Sequence, residues 1–87
     1  MMQDLNILYA GHHCTKAFHN FFKSQGYKEA YNFLKTELAL PESEVLAHTR
    51  PARGRPSQCL AHELIVLAFL QWMDPTVYHR AIMRMMA

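Results

Sequence analysis

Apolar residues recur at helical spacing along most of the chain, and the periodic stretches are broken where glycine, proline or serine intervenes. Leu5 to Ala10 is mixed in character and ends at Gly11, which predicts a short strand or an extended lead-in. From about His13 to Gln25 the residues Cys14, Ala17, Phe18, Phe21 and Phe22 share one helical face, with Gly26 placed as a left-handed C-terminal cap. Tyr27 to Leu38 repeats the pattern through Ala30, Tyr31, Phe33 and Leu34, with Lys28, Glu29, Lys35 and Glu37 on the wet face. Two helices joined around Gly26 are therefore expected.

Pro41 followed by Glu42-Ser43-Glu44 reads as the first turn of a further short helix, with acids at its positive end, ending by Arg50. Residues Thr49 to Ser57 hold two prolines, a glycine and no apolar side chain larger than alanine, so a loop is expected. Ser57 then stands as an N-cap for a helix over Gln58 to Met73, apolar almost all round between Leu64 and Leu70. Asp74-Pro75 supplies a cap and a first-turn proline for a last helix with Val77, Tyr78, Ala81, Ile82 and Met85 on its apolar face. The prediction is a mostly α domain of four to five helices with at most a short N-terminal strand or minimal sheet, spanning residues 1–87 as one unit.

Composition narrows the picture. The 87 residues support one modest core, and 51% apolar with 18% charged residues is a globular balance. The apolar run Leu64 to Leu70 is far shorter than the roughly 20 residues a membrane span requires. Met1 to Asn6 lacks the basic and apolar segments of a secretion signal, so a cytoplasmic protein is expected. In that setting Cys14 and Cys59 are read as small buried apolar residues and not as a disulfide. No repeat of 20 to 50 residues is present.

A formal charge of +2 says little by itself, but its distribution is uneven. Arg50, Arg53 and Arg55 lie within six residues, and no acid occurs between Glu44 and Glu63. Arg53-Gly54-Arg55-Pro56 resembles the core of an AT-hook, whose glycine lets the backbone approach a narrow minor groove that its arginines enter, although Ala52 stands where a flanking proline is usual. The alternative is a solvated loop whose arginines contact nothing specific. Lys16, Lys23 and Lys28, with Arg80 and Arg84, could add phosphate contacts, or be ordinary surface charges.

Other chemistry is thinner. His12, His13, Cys14, His19, His48, Cys59, His62 and His79 include no close cysteine pair of the kind that structural zinc sites use, so no metal site is expected. His13-Cys14 adjacency does not make a nucleophile and base, and the seven acids form no dyad. No Gly-rich phosphate loop or Gly-x-Ser-x-Gly elbow is found, so no catalytic residue and no cofactor is assigned. Trp72 reads as core more readily than as a base-stacking platform. Met83, Met85 and Met86 suggest an adaptable surface for a second subunit.

Several of these residues occur in the order of a known family. His13-Cys14-Thr15-Lys16 stands before a helix, and Phe33-Leu34 falls in a second. The basic Arg53-Gly54-Arg55 segment is followed by His62, and then by Gln71-Trp72-Met73-Asp74-Pro75, with ten positions from His62 to Trp72. Over roughly residues 12 to 83 the chain resembles KilA-N domains, DNA-binding domains of bacteriophages and large DNA viruses related in fold to fungal APSES domains. It departs from their pattern at Glu63, where proline is usual after the histidine, in lacking the Gly-Thr-x-aromatic lead-in, and in its reduced amino-terminal strands.

The resemblance implies a non-catalytic protein that binds double-stranded DNA through Arg50, Arg53, Gly54 and Arg55, with Lys16, Lys23 and Lys28 on phosphates. The shortened sheet motivates the alternative, a phage-type interaction module, inhibitor or regulatory subunit that binds a host protein. A homodimer through the C-terminal helix is a further expectation, and a membrane partner is not expected.

Overall fold

Gln3 and Asp4 form a two-residue strand by pairing with Ala61 and Leu60, and Asp4 has a second task. In the computed structural model, which describes residues 2–11, 14–50, 53–54 and 57–86, its carboxylate accepts from the Asn6 N–H at 2.9 Å and caps a helix. The chain therefore passes from β1 (Gln3–Asp4) directly into α1 (Leu5–Ala10). Leu5, Leu8 and Tyr9, spaced three and four apart, turn toward the core, which is why the expected strand over Leu5 to Ala10 is a helix.

The helix expected over His13 to Gln25 is also revised. His12 and His13 lie outside the described residues, Cys14 to Ala17 is irregular, and a 3-10 helix occupies only Phe18–Lys23. Ser24 ends it and starts the next helix. Its hydroxyl donates to the Phe21 carbonyl at 2.6 Å and accepts from the Tyr27 N–H at 3.3 Å, so α2 (Gln25–Thr36) begins before Gly26 and runs through it. The C-terminal cap predicted at Gly26 is absent because the serine supplies the break. At the far end of α2 the left-handed residue is Ala39, with φ of 51°, and the Leu40 N–H reaches back to the Leu34 carbonyl at 3.1 Å.

α3 (Glu42–Val45) is a single turn, after which the chain extends as β2 (Leu46–Thr49) and returns as β3 (Gln58–Ala61). The sheet order is β1-β3-β2, antiparallel throughout, with Leu46 opposite Ala61 and Thr49 opposite Gln58. This hairpin takes both the last part of the expected Pro41 helix and the first part of the expected Gln58 helix. Cys59 and Ala61 point inward while Gln58 is exposed, a period of two that is too short to read in an otherwise apolar stretch. The cap is correspondingly not Ser57. His62 Nδ1 accepts from the Leu64 N–H at 3.1 Å and starts α4 (Glu63–Met73), while the His62 N–H holds the Val45 carbonyl at 2.9 Å.

α5 (Pro75–Met86) follows as expected, with the Asp74 carboxylate accepting from the Thr76 N–H at 2.9 Å. The described residues thus hold five α-helices, one 3-10 helix and a three-stranded sheet, a mostly helical domain with a minimal sheet. Its core gathers Leu5, Phe21, Leu34, Leu46, Ile65 and Phe69 from both helices and sheet. Phe69 of α4 is the hub. Phe21 meets it edge-on with ring centroids 4.9 Å apart, Phe18 at 5.5 Å, and Trp72 stacks on it at 6.0 Å.

Candidate nucleic-acid interface

The register of the hairpin decides where its charges go. Pairing ends at Thr49 and Gln58, where the Gln58 N–H donates to the Thr49 hydroxyl at 2.9 Å, so Arg50, Arg53 and Gly54 lie beyond the paired strands, at the tip. Arg50 leaves β2 exposed, and Arg53 and Gly54 form an exposed turn in which Gly54 has φ of 76°. A side chain in that left-handed conformation would be strained, so glycine is required there by the backbone itself. Arg55 lies outside the described residues, as do Pro51, Ala52 and Pro56. The base of the loop is tied to α1, where the Asn6 amide donates to the Ser57 carbonyl at 3.5 Å.

The opposite end of the hairpin carries the opposite sign. Glu42 and Glu44 precede β2 in α3, and Glu63 opens α4 just beyond β3. Four paired residues per strand, at about 3.4 Å each, hold acids and arginines apart by more than a Debye length at physiological salt, roughly 8 Å. Asp4, the remaining acid on the sheet, directs its carboxylate to the backbone N–H groups of Asn6 and Cys59. The tip thus carries Arg50 and Arg53, with Glu42, Glu44 and Glu63 at the root and Asp4 between them.

The lysines divide. Lys23 is exposed at the end of the 3-10 helix, beside Phe22, whose ring lies 6.2 Å from the His48 ring on β2. That contact brings the 3-10 helix to the same strand that Arg50 follows. Lys28 is exposed in the first part of α2, next to Tyr27, which packs on Phe22 at 5.1 Å. Neither forms an ion pair, since the one salt bridge among the described residues joins Lys35 to Glu42 at 3.6 Å.

Lys16 is placed elsewhere. Its ammonium donates to the Trp72 carbonyl at 2.7 Å and lies 5.2 Å from the Trp72 ring centroid, while the Tyr9 hydroxyl donates to the Lys16 carbonyl at 2.7 Å. A cation at the negative end of α4 and over an indole face is a structural contact. It pins the irregular segment after α1 to the end of the core helix. Trp72, half-buried between Phe69, Phe21 and Lys16, is committed to the same packing.

His48 neighbours this set, and sequence reasoning does not link it to the arginines. It sits opposite Cys59, exposed and two positions before Arg50. Cys59 is buried, and burial, followed by the charge of Asp4, pushes its thiol up to about 11. A thiol so held is a weak nucleophile. Cys14 is half-buried and also a free thiol. Among the described residues no three His, Cys, Asp or Glu side chains converge on one point, and no helix is long and apolar enough to cross a membrane.

Compared with protein families, with curated proteins and with solved structures, the chain matches none of them.

Proposed function

We propose that this protein is a non-catalytic DNA-binding protein of the KilA-N kind, and that the tip of the β2–β3 hairpin is what enters the duplex. The observation that carries the reading is the separation of charge along the hairpin, with Arg50 and Arg53 at its tip and Glu42, Glu44 and Glu63 at its root. A projection of that sign suits a groove lined by phosphates. Arg55, next in the chain after Gly54, belongs to the same set. Lys23 and Lys28, exposed and without an ion pair among the described residues, follow Phe22 and Tyr27, which pack on each other beside His48; they contact the flanking phosphates and supply affinity without sequence information. Lys16 drops out of that set because its charge is engaged at the end of α4.

Fluorescence anisotropy with labelled A/T-rich and G/C-rich duplexes at two salt concentrations tests this. Binding should weaken steeply as salt rises. Arg53→Ala with Arg50→Ala should reduce both the affinity and the salt slope, the latter by about one for each phosphate left without its arginine. Lys16→Ala should leave the slope unchanged. Absence of binding at low salt, or a slope indifferent to the hairpin arginines, overturns the proposal.

A further inference from the structure

α1, α4 and α5 enclose a groove of about 340 Å³ on which no part of the described chain sits. Its floor is apolar, formed by Leu8, Leu70, Val77 and Ala81, and Arg80 and Arg84 complete its lining. One helical turn apart, the two guanidinium groups lie on the same face of α5, where their mutual repulsion disfavours the helix. Neither arginine is in a salt bridge among the described residues, and the Asp4 carboxylate that caps α1 is engaged on the Asn6 N–H. α1 holds no charged residue, α5 holds no acid, and the two acids nearest in sequence, Glu63 and Asp74, stand at the two ends of α4 with Asp74 engaged on Thr76.

We infer that this groove binds an amphipathic helix of a partner protein, one that lays an apolar row on Leu8, Leu70, Val77 and Ala81 and offers two carboxylates, one turn apart, to Arg80 and Arg84. Charge complementarity selects this occupant. Arginine forks pair with carboxylates bidentately, and the match between an i, i+4 arginine pair and an i, i+4 acidic pair fixes the register of the guest helix. The length suits it as well, since the 12 residues of α5 extend for about 18 Å, or three turns. A second copy of this chain docking α5 on α5 is disfavoured, because the symmetric contact sets arginine against arginine. Duplex DNA would find the arginines but not the apolar floor between them.

The site is separate from the hairpin, so the two are tested independently. The probe is a labelled synthetic helix of about four turns, with leucines at i, i+4 and i+7 and a flanking pair of glutamates, compared with the same peptide carrying lysines in place of the glutamates. The glutamate peptide should bind roughly tenfold or more tightly than the lysine peptide, a difference of about 1.4 kcal/mol. The double variant R80E/R84E, altered only at exposed positions, should reverse that order, and Arg50→Ala with Arg53→Ala should leave it intact. The proposal is overturned by equal binding of the two peptides, by no binding of the glutamate peptide, or by indifference to charge reversal. It is equally overturned if sedimentation shows a dimer that R80E/R84E dissociates, which assigns the groove to a second copy, or if duplex DNA protects Arg80 and Arg84 from modification.

Discussion

α4 and α5 are consecutive helices of 11 and 12 residues separated only by Asp74, yet they stand in opposite relations to the rest of the molecule. α4 buries Ile65, Val66 and Phe69 in the core it shares with the sheet and packs against α2 and, through Phe69, the 3-10 helix, whereas α5 buries no residue completely and packs chiefly on α4. Their sequences anticipate this. The first is apolar almost all round and the second is amphipathic, with Arg80 and Arg84 on one side and Met83, Met85 and Met86 left 59–76% exposed. A helix surrounded by its own chain specifies the fold, and a helix with a free apolar flank is available to something else. The difference lies in packing, since both helices are capped by a side chain accepting a first-turn N–H, His62 in one case and Asp74 in the other.

The sharpest way to test that division is to remove a side chain from each helix. Phe69 is fully buried and meets Phe18, Phe21, Tyr9 and Trp72, so Phe69→Ala should cost about 3–5 kcal/mol, a large fraction of the stability of a domain this size. The matching change Met85→Ala on α5 should cost less than about 0.5 kcal/mol, because its side chain is already in water. Urea unfolding followed by circular dichroism reads both. Comparable losses at the two positions would show that α5 belongs to the core as much as α4 does.

A second distinction appears in alkali. Three groups outside α5 have their proton held more tightly by the fold. Tyr27 is raised chiefly by burial and further by the charges of Tyr31, Glu42 and Cys59; Tyr31 is raised chiefly by its 2.6 Å hydrogen bond to Glu42; and Cys59 is pushed up to about 11 by burial and Asp4. A group whose folded pKa lies above its unfolded value stabilises fully below the unfolded value, and that stabilisation is lost as pH rises through the folded one. Stability should therefore fall between about pH 9 and 11, the interval over which Cys59 titrates first in the unfolded and then in the folded chain. Cys59→Ala and Tyr31→Phe should each flatten that fall, read as the urea midpoint at pH 8 and pH 10.5. Substitutions of α5, which contributes none of these groups, should leave its slope unchanged.

The same contrast explains what can be read from the chain alone. α5 and the cap at Asp74 follow from local signals, a 3.6 period and a capping side chain next to proline, and form where those signals put them, while α2 follows from its period but starts two residues earlier, at Gln25. The hairpin does not follow, because Leu46–Thr49 and Gln58–Ala61 are four residues each and become strands only by pairing with one another and with Gln3–Asp4. Ser24 and His62 escape notice as caps for a related reason. Serine lies in the middle of an apolar period, and histidine accepts through Nδ1 only when strand and helix geometry present it to the Leu64 N–H. Of the candidate interface, the clustering of Arg50 and Arg53 is legible because they are neighbours in the chain. That Lys16 is spent on Trp72, 56 positions away, and that Phe22, the residue before Lys23, meets His48, are facts of tertiary packing.

The smallest effect on stability, and the most direct report on the free flank of α5, is expected from methionine oxidation. Met83, Met85 and Met86 are exposed, while Met73, at the end of α4, is half-buried among the residues packed on the core. Oxidation turns an apolar thioether into a polar sulfoxide, which is disruptive where the side chain is packed and nearly neutral where it already faces water. Mild peroxide treatment followed by peptide mass spectrometry should modify the three α5 methionines first and Met73 several times more slowly. The urea midpoint of the triply oxidised protein should shift by no more than the equivalent of about 0.5 kcal/mol. A large shift would mean that the C-terminal turn of α5 is packed in solution, by this chain or by a second copy. Protection that appears only when the glutamate peptide is added would place a guest helix beside that turn, over the groove that Arg80 and Arg84 flank.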